Sequence, residues 1–365
     1  MTPPKILFIL KRKHNSHTST DKSYIGLSTG LYNSASFVHN MLVEQGILSD
    51  MVVVHDNNDI DREVTKHQPT HVIIEALWVV PDKFSVLKKL HPTVKWIIRL
   101  HSDIPFLANE GSAMDWIAEY SNFENIQIAC NSPFLVTELQ QILGIRNGWS
   151  TTEKDQHIIY LPNYYPPNFV LKILPRHTNT IHIGCFGAIR PMKNHLLQAI
   201  AAIQFAEECG KTVHFHVNHG RIEGKGESAF KNLRHLFEQL SHTGHKLICH
   251  DWMPHHEFLS LCRKMDIGMQ VSLSETFNIV AADLVSQGVP IVVSEEIPWA
   301  TPLFSASSTD CQNIIKMLHR THTFASLNVL LHIRALREYS RKVQHIWRSI
   351  FLPRALHETK EKHTR

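Results

Sequence analysis

Two short segments of the chain concentrate the residue types that handle phosphates and hydroxyls. The first runs Gly187-Ala188-Ile189-Arg190-Pro191-Met192-Lys193-Asn194, the second Ser274-Glu275-Thr276-Phe277-Asn278-Ile279-Val280-Ala281-Ala282-Asp283. Each follows an apolar, strand-like run and opens a helix-like one. In the first, Gly187 frees the backbone for a tight turn, and Arg190 and Lys193 follow beside a helix start. Arg grips two phosphate oxygens as a fork, and Lys adds a compact charge. The second offers backbone N–H donors at a helix N-terminus, where the helix dipole also favours an anion. Glu275 and Asp283 flank that terminus. Asp283 falls in the apolar run Ala281-Ala282-Asp283-Leu284-Val285, where a charge needs a partner. Cations and a helix start suit a diphosphate; carboxylates accept hydrogen bonds from ribose or sugar. A nucleotide sugar carries both features, and the two cations would stabilise the charge growing on a departing diphosphate.

Elements positioned to hold these segments alternate along the whole chain. Strand-like runs are Lys5–Leu10, Met51–His55, His71–Ala76, Val94–Leu100, Ile126–Cys130 and His157–Leu161. Helix-like runs between them are Ser34–Gln45, Asp59–His67, Lys83–Leu90, Gly111–Tyr120 and Pro133–Leu143. After a stretch holding Pro162, Pro166, Pro167 and Pro175, the alternation restarts. Its strands are Ile181–Phe186, Thr212–Val217, Lys246–His250, Ile267–Val271 and Pro290–Ser294. Its helices are Asn194–Glu208, Ser228–Leu240, His256–Lys264 and Phe277–Gln287, before a helical stretch Ser326–Phe351. Continuous apolar strands alternating with helices predict an α/β chain of doubly wound parallel sheets. At 365 residues the chain is long enough for two such domains. The reading is a Rossmann-like domain over 1–165, a linker over 166–178, a second Rossmann-like domain over 179–325, and C-terminal helices with a polar tail over 326–365. Two such domains facing across a cleft would give a donor one wall and an acceptor the other.

The segments Asp266–Val271, Ser274–Asn278 and Gln287–Ser294 together resemble the donor-site signature of GT-B glycosyltransferases, in particular glycosyltransferase family four and its retaining relatives. Gly187-x-x-Arg190-x-x-Lys193-Asn194 resembles that family's phosphate motif, at the expected distance upstream. The specific resemblance covers roughly Ile181 to Ser294. It implies a metal-independent transferase without a cofactor, whose co-substrate is a UDP- or GDP-linked sugar. It further implies that Arg190 and Lys193 contact the donor diphosphate, that Glu275 lies by donor sugar hydroxyls, and that the acid eight residues on binds the ribose. Here that acid is Asp283 where the family has Glu, so it reaches one methylene less far. Thr276, Phe277 and Asn278 would line the donor, Asn278 replacing the commoner glycine. On the N-terminal side, His101 ends a strand where the family places a histidine near the donor sugar. The loop Leu27–Asn33, hinged at Gly26 and Gly30, resembles the loop that lies over the donor phosphates. Glu75 and Asn131-Ser132 are weaker candidates. A nucleotide-sugar epimerase of the same fold, with His101 and Glu75 as its acid and base, and a silent sugar-nucleotide or glycan-binding protein are the alternatives.

Other classes fit poorly. No strand leads into G-x-G-x-x-G, which disfavours a dinucleotide-dependent dehydrogenase. The net charge of +4 is too small to imply nucleic-acid binding by itself. The acceptor is left open among a glycan, a lipid-linked sugar, a protein and a modified nucleic-acid base. Histidines 214, 216 and 219, and the group His250, Asp251, His255 and His256, read as polar faces rather than metal ligands, because no carboxylate or cysteine is spaced with them as in a metal site. The six cysteines are scattered without a C-x-x-C pair, which fits a reducing, cytoplasmic compartment. No apolar run approaches the roughly 20 residues of a membrane span, so any membrane contact would be peripheral.

Overall fold

The computed structural model describes residues 3–11, 30–170 and 179–352. The chain divides into two compact units, Met1–Pro166 with Ser340–Arg365, and Pro167–Tyr339. The first unit holds strands β1 (Lys5–Lys11), β2 (Leu48–Val54), β3 (His71–Glu75), β4 (Lys95–Leu100), β5 (Ile126–Cys130) and β6 (Ile158–Tyr160). They form one sheet, ordered β2-β1-β3-β4-β5-β6, with every pairing parallel. Ile6 through Leu10 are buried without alternation, as a strand covered on both faces must be. The connections are helices α1 (Gly30–Glu44), α2 (Asp59–His67), α3 (Asp82–Leu90), α4 (Ile104–Leu107), α5 (Ala113–Tyr120), α6 (Pro133–Asn147) and α7 (Thr151–His157).

The sequence reading has no counterpart for α4 and α7. Helix α4 is too short to show a period. Helix α7 has no buried face and stands on its capping box, in which Ser150 and Glu153 each bond the other's backbone N–H. Helix α6 runs four residues past the expected Leu143, until Gly148 takes the left-handed conformation that ends it.

The second unit holds β7 (Thr180–Gly184), β8 (Thr212–Asn218), β9 (Lys246–His250), β10 (Ile267–Gln270), β11 (Ile291–Ser294) and β12 (Ser305–Ala306). Its sheet is parallel throughout, in the order β12-β11-β10-β7-β8-β9. Helices α8 (His195–Glu208), α9 (Gly226–Gln239), α10 (His255–Cys262), α11 (Ile279–Ser286), α12 (Cys311–Thr323) and α13 (Ala325–Phe351) complete it. From β7 the chain builds β8 and β9 on one side, then returns to lay β10 on the other. The carboxyl ends of β7 and β10 therefore form a topological switch point, where open α/β sheets bind ligands. Helix α11 packs closely over β10: a Cβ on Gly268 would lie 2.6 Å from Leu284 Cδ1, so glycine sets that spacing.

Of the expected C-terminal segment, the described residues 326–352 divide between the two units at Ser340. Helix α13 is one element that starts in the second unit and belongs to the first from Ser340 on. There Trp347, fully buried, packs 6.1 Å from the Phe8 ring and donates to Pro162 O at 2.9 Å. Helix α12, also unanticipated, is capped by Asp310 and buries Ile314, Ile315 and Leu318. The expected loop 27–29, most of the linker and the polar tail lie outside the described residues. Among the described residues no helix is long and apolar enough to cross a membrane. All six cysteines are free.

Candidate functional site

The two motifs follow β7 and β10, the strands on either side of the switch point, and the backbone stitches them together. Leu273 N donates to Met192 O at 2.9 Å. Gln198 joins them again, donating to Lys193 O at 2.7 Å and accepting from Val271 N at 2.8 Å. Gln270 donates to Phe186 O at 3.0 Å. Gly187 sits at φ 110, which only glycine adopts without strain, and its N–H donates to Asn218 Oδ1 at 3.0 Å. Space alone would admit a side chain there, since the nearest atoms to an added Cβ are 3.8 Å away or more. The constraint is backbone conformation, which turns the chain sharply off β7. Arg190 follows in extended conformation, and Pro191 starts a single 3-10 turn that ends at Lys193.

That turn delivers Lys193 to Glu275. The ammonium and Glu275 Oε1 form an ion pair in which the two side chains are 10% and 8% exposed. Burial lowers the Lys193 pKa, Glu275 opposes that shift, and the charge of Arg190 adds to it, so the net direction is down. Lys193 therefore has a second cation as a neighbour, an arrangement that an anion would relieve. Among the described residues the ammonium donates only to Glu275, although it carries three N–H groups.

The second motif departs from expectation in detail. Helix α11 begins at Ile279, not at Phe277, because Asn278 takes a left-handed conformation and caps it, accepting from Ala281 N at 2.9 Å. The Asn278 amide also donates to Gln270 Oε1 and to Glu275 Oε1, both at 3.0 Å. Asn278 thus orients Glu275 and spends one of the backbone donors that the sequence suggested for an anion. Phe277 points into the core, 1% exposed, with its ring 5.5 Å from Tyr339 and its carbonyl taking Trp299 Nε1–H at 2.7 Å. Its side chain cannot line a donor there. Thr276 beside it is 7% exposed. Asn194, also expected on the donor, donates to Val271 O at 3.2 Å and Ser308 O at 2.7 Å, tying the loop after β7 to the chain just past β10 and β12.

Asp283 is 2% exposed, and its Oδ1 lies 2.8 Å from His255 Nε2 at the start of α10. Burial disfavours charge on His255, but the bond and charge of Asp283 outweigh it and raise its pKa. Sequence reasoning passed over Gln198, Gln270 and Asn218, and read His255 only as part of a polar face. A buried glutamine in the otherwise apolar face of α8 was the one visible signal.

His101 and Gly30 belong to the first unit. Gly30 opens α1. His101 Nε2 bonds Glu75 Oε2, and Arg99 Nη1 bonds the same carboxylate at 3.0 and 3.2 Å. Burial raises the Glu75 pKa, but Arg99 and His101 overcome it, so the net shift is down. Burial holds His101 below its ordinary value against the pull of Glu75. A neutral His101 facing the ionised Glu75 carboxylate donates to it through an Nε2–H. Asn131 and Ser132 are both buried at the end of β5.

A row of histidines crosses three strands. His182 Nδ1 is 3.0 Å from His216 Nε2, and His216 Nδ1 is 2.9 Å from His250 Nε2. Because His216 uses both nitrogens within the row, the lone pairs do not converge. Among the described residues no three His, Cys, Asp or Glu are placed to hold a metal ion.

No family model matches the chain. No curated protein matches it in sequence. Solved structures do match in fold. A sucrose-phosphate synthase from Thermosynechococcus elongatus superposes with TM-score 0.64 at 12% identity, covering 99% of this chain and 100% of that one. A UDP-forming α,α-trehalose-phosphate synthase from Burkholderia vietnamiensis gives TM-score 0.65 at 10% identity, covering 96% of each chain. HepE of Anabaena, in complex with UDP-glucose, gives 0.61 at 15% identity, covering 95% of this chain and 99% of that one.

Proposed function

We propose that the protein, whose two Rossmann-like parallel-sheet domains have the fold of the GT-B glycosyltransferases, is itself such an enzyme, moving a sugar from a nucleoside-diphosphate sugar to an acceptor with retention of configuration. One observation carries the reading. Two motifs 82 residues apart meet at a switch point through the Lys193–Glu275 pair, on a loop that Gly187 turns sharply and Arg190 charges. That is a diphosphate site with a carboxylate beside it for sugar hydroxyls. The similarity in fold to a UDP-forming trehalose-phosphate synthase and to HepE in complex with UDP-glucose supports the choice of co-substrate.

In this reading the bond from the anomeric carbon to the diphosphate oxygen breaks as the bond to the acceptor oxygen forms on the same face. The acceptor proton passes to the departing diphosphate. Arg190 and Lys193 stabilise the charge developing there, so no metal is required. Glu275, oriented by Asn278, holds the sugar. A thermal-shift screen of UDP-, GDP- and ADP-sugars in EDTA tests this without knowledge of the acceptor. At least one class should stabilise the protein. No stabilisation by any of them would overturn the reading, and release of epimerised sugar nucleotide without an acceptor would redirect it to an isomerase.

A further inference from the structure

Two buried side-chain amides, Gln270 and Asn278, link the ends of both motifs, and the backbone fixes which end of each points where. Gln270, the last residue of β10, meets the Phe186 carbonyl at 3.0 Å. A carbonyl can only accept, so Nε2 lies on that side and Oε1 on the other. Asn278 meets the Ala281 N–H at 2.9 Å, which can only donate, so its Oδ1 lies there. That leaves Nδ2 for the other two contacts, Gln270 Oε1 and Glu275 Oε1, each at 3.0 Å. An amide nitrogen carries two N–H groups, and both are spent. The branch toward the second motif ends on Glu275 Oε1, the oxygen that also takes the Lys193 ammonium. Glu275 Oε2 accepts no hydrogen bond among the described residues.

We propose that Gln270 and Asn278 act together as positioning residues, committing one oxygen of Glu275 to the protein and presenting the other, Oε2, to a hydroxyl of the donor sugar. The proposal rests on the reading of this site as one for a nucleoside-diphosphate sugar with Glu275 on the sugar. An unrestrained glutamate loses rotamer freedom when it binds, and two donors on one oxygen remove that freedom before the ligand arrives. Neither amide can turn over without loss. Gln270 reversed would set its oxygen against the Phe186 carbonyl, and Asn278 reversed would set its nitrogen against the Ala281 N–H. Capping α11 and orienting Glu275 are therefore separate tasks of the two ends of one side chain, and substitution can part them.

Titration calorimetry with UDP and UDP-glucose, and with GDP and GDP-mannose, separates the sugar contact from the diphosphate contacts. Asn278→Gly removes the side chain at a residue whose φ of 59 glycine adopts without strain, and glycine is tolerated at helix N-caps. It should weaken the nucleotide sugar by about tenfold, the scale of one hydrogen bond to a charged group, and leave the nucleoside diphosphate within about twofold. Asn278→Asp keeps the capping oxygen but turns a second oxygen on Gln270 and Glu275, so it should cost the nucleotide sugar at least as much. Gln270→Met should lower the ratio of the two affinities as well. In the double variant with Asn278→Gly it should lower that ratio no further, because it reaches Glu275 only through the Asn278 amide. Wild-type binding of the nucleotide sugar by Asn278→Asp would mean that only the cap matters, and would overturn the proposal. So would an Asn278→Gly variant with wild-type affinity, with equal losses for both ligands, or with a loss to which Gln270→Met adds in full. If the unsubstituted protein binds neither member of either pair, the diphosphate site itself is wrong, a result distinct from any of these.

Discussion

Two buried ion pairs stand at strand ends in the two units, and they are finished to different degrees. Arg99 and Glu75 are both 0% exposed. The guanidinium bonds Glu75 twice, Asn163 Oδ1 at 2.7 Å and Leu161 O at 3.1 Å, and lies 5.2 Å over the Trp347 ring. Every nitrogen of Arg99 has an acceptor inside the protein. Lys193, buried almost as deeply, donates only to Glu275 among the described residues and has a second cation near it. A buried pair is weak evidence of stabilisation by itself, because desolvation offsets the attraction. The saturated pair is therefore best understood as architecture from which His101 hangs, and the unsaturated one as the pair that the proposed diphosphate would complete.

That contrast breaks first at Arg99. Replacing it with alanine strands a fully buried carboxylate, and should cost about 3–5 kcal/mol of stability in urea denaturation. Lys193→Ala should cost clearly less stability, since Asn278 still bonds Glu275, yet lower kcat by at least about a hundredfold, as should Arg190→Ala. Variants at 190 and 193 that turn over like wild type would erase the distinction between the pairs. Asp283→Asn should raise the donor KM by about tenfold and change kcat less, because the nucleoside lies away from the breaking bond. Equal loss in both parameters would move Asp283 into the reacting centre.

The smallest effect expected is one of pH, and it touches both units. Burial holds His71 and His332 down to about 4, and His195 and His216 down to about 3. The folded protein keeps these rings neutral, while the unfolded chain takes up protons as pH falls below about 6.5. The unfolded state then binds more protons, so stability declines from pH 6.5 toward 4 and further toward 3. His255, whose pKa Asp283 raises, opposes this trend by stabilising the folded state at acid pH, a contribution lost as pH rises through its folded value. Melting temperatures should therefore fall between pH 7.5 and 5; a flat profile would mean the rings are solvated.

Much of this was legible from the chain. Continuous apolar strands with helical periods between them predict parallel sheets, and Asp59–His67, Ile126–Cys130 and Lys246–His250 have the same bounds in the structure. Gly187, Arg190, Lys193 and Glu275 stood out because glycine before paired charges at a strand end has few structural uses. The rest depended on tertiary contact. Phe277 is apolar and sits in a motif, so only packing against Trp299 and Tyr339 reveals it as core. Asn194 and Asn278 resemble ligand residues because the same short amide side chains also cap and stitch loops. The bond from His255 to Asp283 joins residues 28 apart on separate helices, and no local pattern encodes it. Helix α13 reads as a terminal appendage because amphipathicity specifies a buried face but not which unit buries it.

The central claim is that Arg190 and Lys193 hold a diphosphate, and calorimetry with the free nucleoside diphosphate in EDTA tests it most directly. The released diphosphate carries in full the charge that the transition state only begins to build, so it senses these cations more strongly than the intact donor does. Binding should persist in the chelator, and Lys193→Ala should weaken it by at least about tenfold, with Arg190→Ala close behind. Binding that vanishes in EDTA and returns with magnesium or manganese, or that is indifferent to both substitutions, would contradict the account.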